Sequence, residues 1–171
     1  MERLNIDDFD RAYGIMAPSF PEDELRPYGE QRALLSDSAY RLYGLREEGR
    51  LVSVLAVREY GALVYLEHFA TDPALRGRGI GGRLLDEFLA SSSGTVFLEA
   101  EPPSDGLTLR RIAFYERHGF VLNPYPYVQP PISEGRSPVP LRIMTYGRPI
   151  GDEEYREIRE TLYRRVYHCE P

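Results

Sequence analysis

The chain has 171 residues, 42% of them apolar and 28% charged, with a net charge of −6, one cysteine and three histidines. That balance describes one globular domain with a core of its own; no stretch approaches the roughly 20 apolar residues of a membrane helix, Cys169 has no internal disulfide partner, and no basic run suits a nucleic-acid binder. The start, MERLNIDDFD, lacks the apolar segment of a secretory signal, so the expected setting is the cytoplasm.

Asp7 or Asp8 is placed to cap a short helix with Phe9, Tyr13 and Met16 on one side. Pro21 followed by Glu22, Asp23 and Glu24 signals a second helical start, since acidic groups suit the positive end of a helix dipole; Pro27 interrupts its continuation. AYRLYGLRE, LVSVLAVRE and ALVYLEHFA follow, separated by Glu48-Gly49 and Tyr60-Gly61, and predict an antiparallel meander. Gly79 to Ala90 reads as a helix, with Ile80, Leu84, Leu85, Phe88 and Leu89 in one stripe. TVFLEAE is a buried strand ending at Pro102-Pro103. Leu107 to His118 is a further helix, stopped by Gly119, and FVLNPY and PLRIMTYG are two more strands. Between these, residues 123–140 hold six prolines in 18 positions and are expected to be extended, as polyproline. Finally, residues 152–167 form an amphipathic helix with Tyr155, Ile158, Leu162, Tyr163 and Val166 on one face; that face needs a partner surface, in this chain or in a second copy. The order implies a single mixed α/β domain over residues 1–171 with a strand–helix–strand unit at its centre.

The stretch LRGRGIGGRLL (75–85) lies between that unit's first strand and its helix. A helix N-terminus carries unpaired N–H groups and about half a positive charge. Glycines let a phosphate approach the backbone, and Arg76 and Arg78 add charge, so the stretch reads as a pyrophosphate cradle. Gly77 to Gly82 satisfies the dinucleotide pattern G-x-G-x-x-G, with Glu99 at about the expected distance. Against a nucleotide-dependent oxidoreductase, TDPALR separates strand from turn, three strands and two helices come first, and too few strand–helix units follow.

Arg76-Gly77-Arg78-Gly79-Ile80-Gly81 also fits R-x-x-G-x-G and resembles the acyl-CoA-binding motif of the GNAT N-acetyltransferase superfamily. YLEHFATDPALRGRGIG resembles that family's fourth strand running into its pyrophosphate loop, and RIAFYERHGF (111–120) its later helix. Residues 40–122 carry the resemblance. It implies a mostly antiparallel sheet of about six to seven strands flanked by helices, and acetyl transfer from acetyl-CoA, as co-substrate, to a primary amine of a small molecule or peptide by direct attack. It implies Glu67 as base or amine ligand. Backbone amides of Phe69, Ala70 and Thr71 are expected at the pantetheine arm and the thioester carbonyl, residues 76–81 at the pyrophosphate, and Tyr115 as the acid for the departing thiolate. Thr108 stands where many relatives have an asparagine that touches the cofactor arm. The alternative within the resemblance is an acyl-CoA-binding module without turnover.

Several residues have plainer readings. His68 follows Glu67 directly and is expected on the opposite sheet face, packed in the core. His118 suits a helix C-cap. Arg110 and Arg111 read as a solvated face. Glu99 and Glu101 share one strand face and suit either an amine or a rim ion pair. Tyr125 and Tyr127 are candidates for a pocket wall. No His, Cys or Asp cluster has metal-ligand spacing, and a homodimer is compatible with the C-terminal helix.

Overall fold

The computed structural model describes residues 1–171. Its centre is an eight-stranded sheet: β1 (Glu2–Arg3), β2 (Tyr40–Glu47), β3 (Arg50–Tyr60), β4 (Leu63–Thr71), β5 (Thr95–Ala100), β6 (Phe120–Leu122), β7 (Tyr127–Gln129) and β8 (Val139–Tyr146). The spatial order is β1-β2-β3-β4-β5-β8-β6, and β7 pairs with the other half of β8 on the same side as β6. Only β4 and β5 run parallel, and the helix that joins them, α3 (Ile80–Ser91), makes the expected strand–helix–strand unit. The remaining helices are α1 (Phe9–Met16), α2 (Tyr28–Ala33), α4 (Gly106–Arg117) and α5 (Asp152–Thr161), which runs on through a wider turn to Val166.

Helices cover both faces. On one, α3 and α4 bury Leu84, Leu85, Phe88 and Ile112 against Leu55, Val57, Leu66 and Leu98. On the other, α1 packs Phe9, Ala12 and Ile15 on Leu42, Val54 and Ala56. Beside α1, α5 packs Ile158, Leu162 and Val166 on Tyr65, Phe97 and Ile143. The partner surface that the C-terminal amphipathic helix requires is therefore its own sheet.

Some expectations are corrected. Asn5, not Asp7 or Asp8, caps the first helical turn, accepting from the Asp7 amide at 2.7 Å. The signal at Pro21 produces a single turn at Glu22–Glu24, and α2 starts only after Pro27. Segment 123–140 is not polyproline throughout: Tyr127–Gln129 pairs with β8. Further on it is pinned to the 22–30 stretch by Ser133 to Glu30, Arg136 to Glu22 and the Ser137 amide to Asp23.

The feature that positions the site is a bulge in β4. The pairing Ala56↔His68 is followed by Val57↔Leu66, so Glu67 is an extra residue with no opposite number on β3. Strand alternation is broken there. Glu67 and His68 both project to the face of α1 and α5, whereas the alternating pattern expects them on opposite faces. The β4–β5 pairing stops at Leu66↔Leu98, one residue before the bulge, and the strands then part into a wedge.

Candidate active site

One side of the wedge leads to the glycine turn. Asp72 opens it, its carboxylate accepting from the Ala74 amide at 3.0 Å, and α3 starts behind it. Gly77 and Gly79 have φ of +78° and +74°, and a Cβ at either would meet nothing within 4 Å. The glycines are there for the left-handed backbone and the open approach, not for packing. No side chain caps α3, so the first amides of the helix point into open space beside the exposed Arg76 and Arg78. Such an end fits the pyrophosphate of a coenzyme. Gly81 differs: a Cβ there would lie 2.9 Å from Thr71 Oγ1 and 3.1 Å from Phe69 Cζ. It sets how closely α3 approaches β4. A Gly81→Val protein is expected to lose about 1–3 kcal/mol by overpacking, measured by denaturant unfolding, and to bind acetyl-CoA more weakly.

The wedge exposes backbone groups of β4. The Asp72 amide donates to the Val52 carbonyl at 2.9 Å, and antiparallel alternation then turns the groups of Ala70 towards β3 and those of Phe69 and Thr71 towards the wedge. Of the three amides expected at the cofactor arm, two face the opening, and that of Ala70 belongs to the sheet. The Thr71 carbonyl also receives Arg76 Nε at 3.3 Å, which ties the cradle to the wedge.

Tyr115 stands on α4 at the same place, packed against Phe69, Phe114 and Phe120 with ring centroids 5.3–6.5 Å away. Burial pushes its phenol up to about 12. It carries its proton throughout the neutral range and makes no hydrogen bond within the chain. Thr108 is buried, and its hydroxyl is engaged within the chain. Its hydroxyl accepts from the amides of Ser104 and Asp105, both at 3.0 Å, and donates to the Asp105 carbonyl at 3.1 Å. The hydroxyl serves a helix cap, because Thr108 is the N3 partner of Asp105. Arg111 pairs with Glu101 at the rim, and His118 ends α4 with Nδ1 2.6 Å from Asp86, clamping α4 to α3.

Through the wedge, on the α1 and α5 face, lies a cavity of about 40 Å³. It is lined by Phe20, Glu24, Tyr65, Glu67, His68 and Glu99 among others. Glu67 sits here, but not as a free carboxylate. Its side chain is 1% exposed and held by Arg26 Nη1 at 2.6 Å and by Arg58 Nε at 2.9 Å and Nη2 at 3.3 Å. Burial alone raises a carboxyl; the two guanidinium groups overcome it and hold this one far below the usual carboxylate range. A carboxylate so paired is a poor proton acceptor, and the geometry assigns Glu67 to a buried ion cluster that fixes the bulge. Nothing local in the sequence marks Arg26; the signal for Arg58 is an arginine inside the apolar run LVSVLAVRE.

Glu99 fills another wall of the cavity. Tyr65 and Tyr167 donate to its Oε2 at 2.6 and 2.7 Å, while Oε1 is buried without a partner. Burial pushes its carboxyl up against the pull of three hydroxyls, that of Tyr127 first and then those of Tyr65 and Tyr167. Glu24 is likewise pushed up to about 7, by burial first and then by the charge of Glu101. Of the candidate wall tyrosines, Tyr127 is 3% exposed with its hydroxyl against Glu99 but outside hydrogen-bond geometry, whereas Tyr125 stacks on Tyr155 at 4.5 Å. Gln129, from the same segment, donates to the Asp23 carbonyl at 3.0 Å and closes the cavity.

Comparison with known proteins agrees with this arrangement. The model of the GNAT acetyltransferase domain matches residues 38–122. The chain is 31% identical over 118 residues to the N-alpha-acetyltransferase RimI of Mycobacterium tuberculosis, covering 66% of this chain and 75% of that protein. It is also 31% identical over 125 residues to an uncharacterized Mycobacterium leprae protein, of whose length it spans only 35%. Among solved structures, a putative GNAT acetyltransferase from Bacteroides thetaiotaomicron superposes with a TM-score of 0.91 at 29% identity, over 99% of this chain and 98% of that one. The ribosomal-protein-S18-alanine N-acetyltransferase of Escherichia coli gives 0.61 at 23% identity, over 89% and 95%, and shares the fold. The eight-stranded sheet, the parted β4 and β5 and the glycine turn at α3 thus stand in a chain that belongs to the GNAT acetyltransferase family.

Proposed function

We propose that this protein transfers an acetyl group from acetyl-CoA to a primary amine of a small molecule or peptide by direct attack. The observation that carries the reading is the wedge: it joins a cradle suited to pyrophosphate on one sheet face to a small acidic cavity on the other. Acetyl-CoA supplies the activated acyl group. Residues 76–81 hold its pyrophosphate, and the free amides of Phe69 and Thr71 serve its arm and the carbonyl oxygen as charge develops there. Tyr115, protonated and otherwise unbonded, supplies a proton to the thiolate. The carboxylates around the cavity favour a cationic acceptor and give a binding module without turnover no reason to enclose them.

The reading is tested by following free thiol with acetyl-CoA and a panel of primary amines that includes butylamine and an alanine-leading tripeptide. Amine-dependent thiol release is expected with at least one of them. Release that is independent of every amine, or none at all in a protein that binds acetyl-CoA, contradicts it.

A further inference from the structure

His68 has the features of a proton acceptor that Glu67 lacks. Its Nε2 lies 2.9 Å from the Glu24 carbonyl oxygen. A carbonyl only accepts, so Nε2 carries the hydrogen and Nδ1 carries the lone pair. Nδ1 is buried and has no partner in the chain. The ring is held edge-on to Phe20, with centroids 4.9 Å apart. The other buried orphan among the cavity-lining side chains is Glu99 Oε1, and it too is an acceptor.

The two residues flank the wedge from opposite strands. The last paired positions are Leu66 on β4 and Leu98 on β5. Glu99 is the next residue on β5, and the bulge at Glu67 brings His68 to the corresponding face of β4. An ammonium group has three donors and no acceptor, which complements His68 Nδ1 and the Glu99 carboxylate; the Tyr127 hydroxyl, which lies against Glu99 outside hydrogen-bond geometry, shares that carboxylate with it. Resting on the acetyl-transfer reading above, the geometry points to His68 Nδ1 as the general base and Glu99 Oε1 as the ligand of an unbranched primary ammonium.

The bound ammonium gives one proton to His68 Nδ1, which passes it to water. The nitrogen lone pair then forms the C–N bond, and the C–S bond breaks with its electrons on sulfur. The second proton leaves the nitrogen as Tyr115 protonates the thiolate, so Tyr115 is restored to the phenol. The third stays on the amide.

The charges that bear on His68 are Glu67 on β4, Arg58 on β3 and Arg26 just before α2, and the Glu24 carbonyl of the N-terminal segment holds its Nε2; burial, with the two arginines, outweighs Glu67 and that carbonyl and holds the imidazolium below its ordinary range. The base is therefore neutral at pH 7, and activity is lost only as pH falls below about 6.5, the ordinary histidine value. In His68→Gln, kcat is expected to fall about 10²- to 10⁴-fold, with acetyl-CoA binding retained and the acidic limb of the kcat profile gone. Wild-type turnover with His68→Gln within threefold of it, and with the same limb, overturns the base and leaves acetyl transfer standing. A second measurement needs no variant: nitrogen NMR of histidine-labelled wild-type protein is expected to show the neutral Nε2–H form of His68 at pH 7. Observation of the Nδ1–H form overturns the assignment whatever becomes of the variant.

Discussion

Glu67→Gln is expected to be among the least stable single variants of this protein. It removes the anion from a site where two guanidinium groups remain buried, with Arg58 and Arg26 side chains 2% and 7% exposed. Breaking such a pair by removing one partner costs about 3–5 kcal/mol, because the remaining charge stays buried and uncompensated. At this chain length each kcal/mol shifts Tm by roughly 2–4 °C, so a fall of about 10 °C is expected by calorimetry. The amide nitrogen of glutamine makes the site worse, since it sets a donor against donors. The same cluster gives the wild type a pH signature. The folded carboxyl is held below its ordinary value of 4.5, so its stabilisation is complete above that value and is lost as pH falls below it. A catalytic base at this position would behave otherwise: Glu67→Gln would keep wild-type stability and lose turnover. A Tm within 2 °C of wild type contradicts the ion-cluster reading.

Tyr115→Phe is expected to lower kcat by about 10²- to 10³-fold, within the range for loss of a positioned acid, while leaving acetyl-CoA affinity and Tm near wild type. The phenol makes no hydrogen bond within the chain, so its removal orphans nothing. The ring contacts with Phe69, Phe114 and Phe120 are kept. Its proton leaves only near pH 12, so it imposes no basic limb on the wild-type profile below pH 10. Stopped-flow thiol release, compared with steady state, separates slowed chemistry from slowed product release. A kcat within threefold of wild type would remove Tyr115 from the reaction.

The sequence carries the sheet and the cradle in plain view. Alternation in LVSVLAVRE and ALVYLEHFA marks the meander, the stripe Ile80, Leu84, Leu85, Phe88 marks α3, and four glycines among three arginines mark the turn. The bulge is invisible there, because one extra residue leaves no trace in an alternating pattern until the partner strand is known. That single residue reverses the facing of His68 and brings it beside Glu67. Long-range partners were equally hidden. Arg26 reaches Glu67 over 41 positions and Tyr167 reaches Glu99 over 68, distances at which no local pattern speaks. Thr108 is a different case: the motif marks its place in the family, and Asp105, three residues earlier, claims its hydroxyl for the start of α4.

The coenzyme cradle is the claim on which the rest depends, and acetyl-CoA binding to wild type and Gly79→Glu by titration calorimetry tests it most directly. At Gly79 a side chain meets no neighbour within 4 Å, but the backbone sits at φ +74° and a carboxylate would face the incoming pyrophosphate. Wild type is expected to bind acetyl-CoA with micromolar affinity, and a folded Gly79→Glu protein to bind at least 100-fold more weakly. Equal binding by the two proteins, or none by wild type, would contradict the cradle.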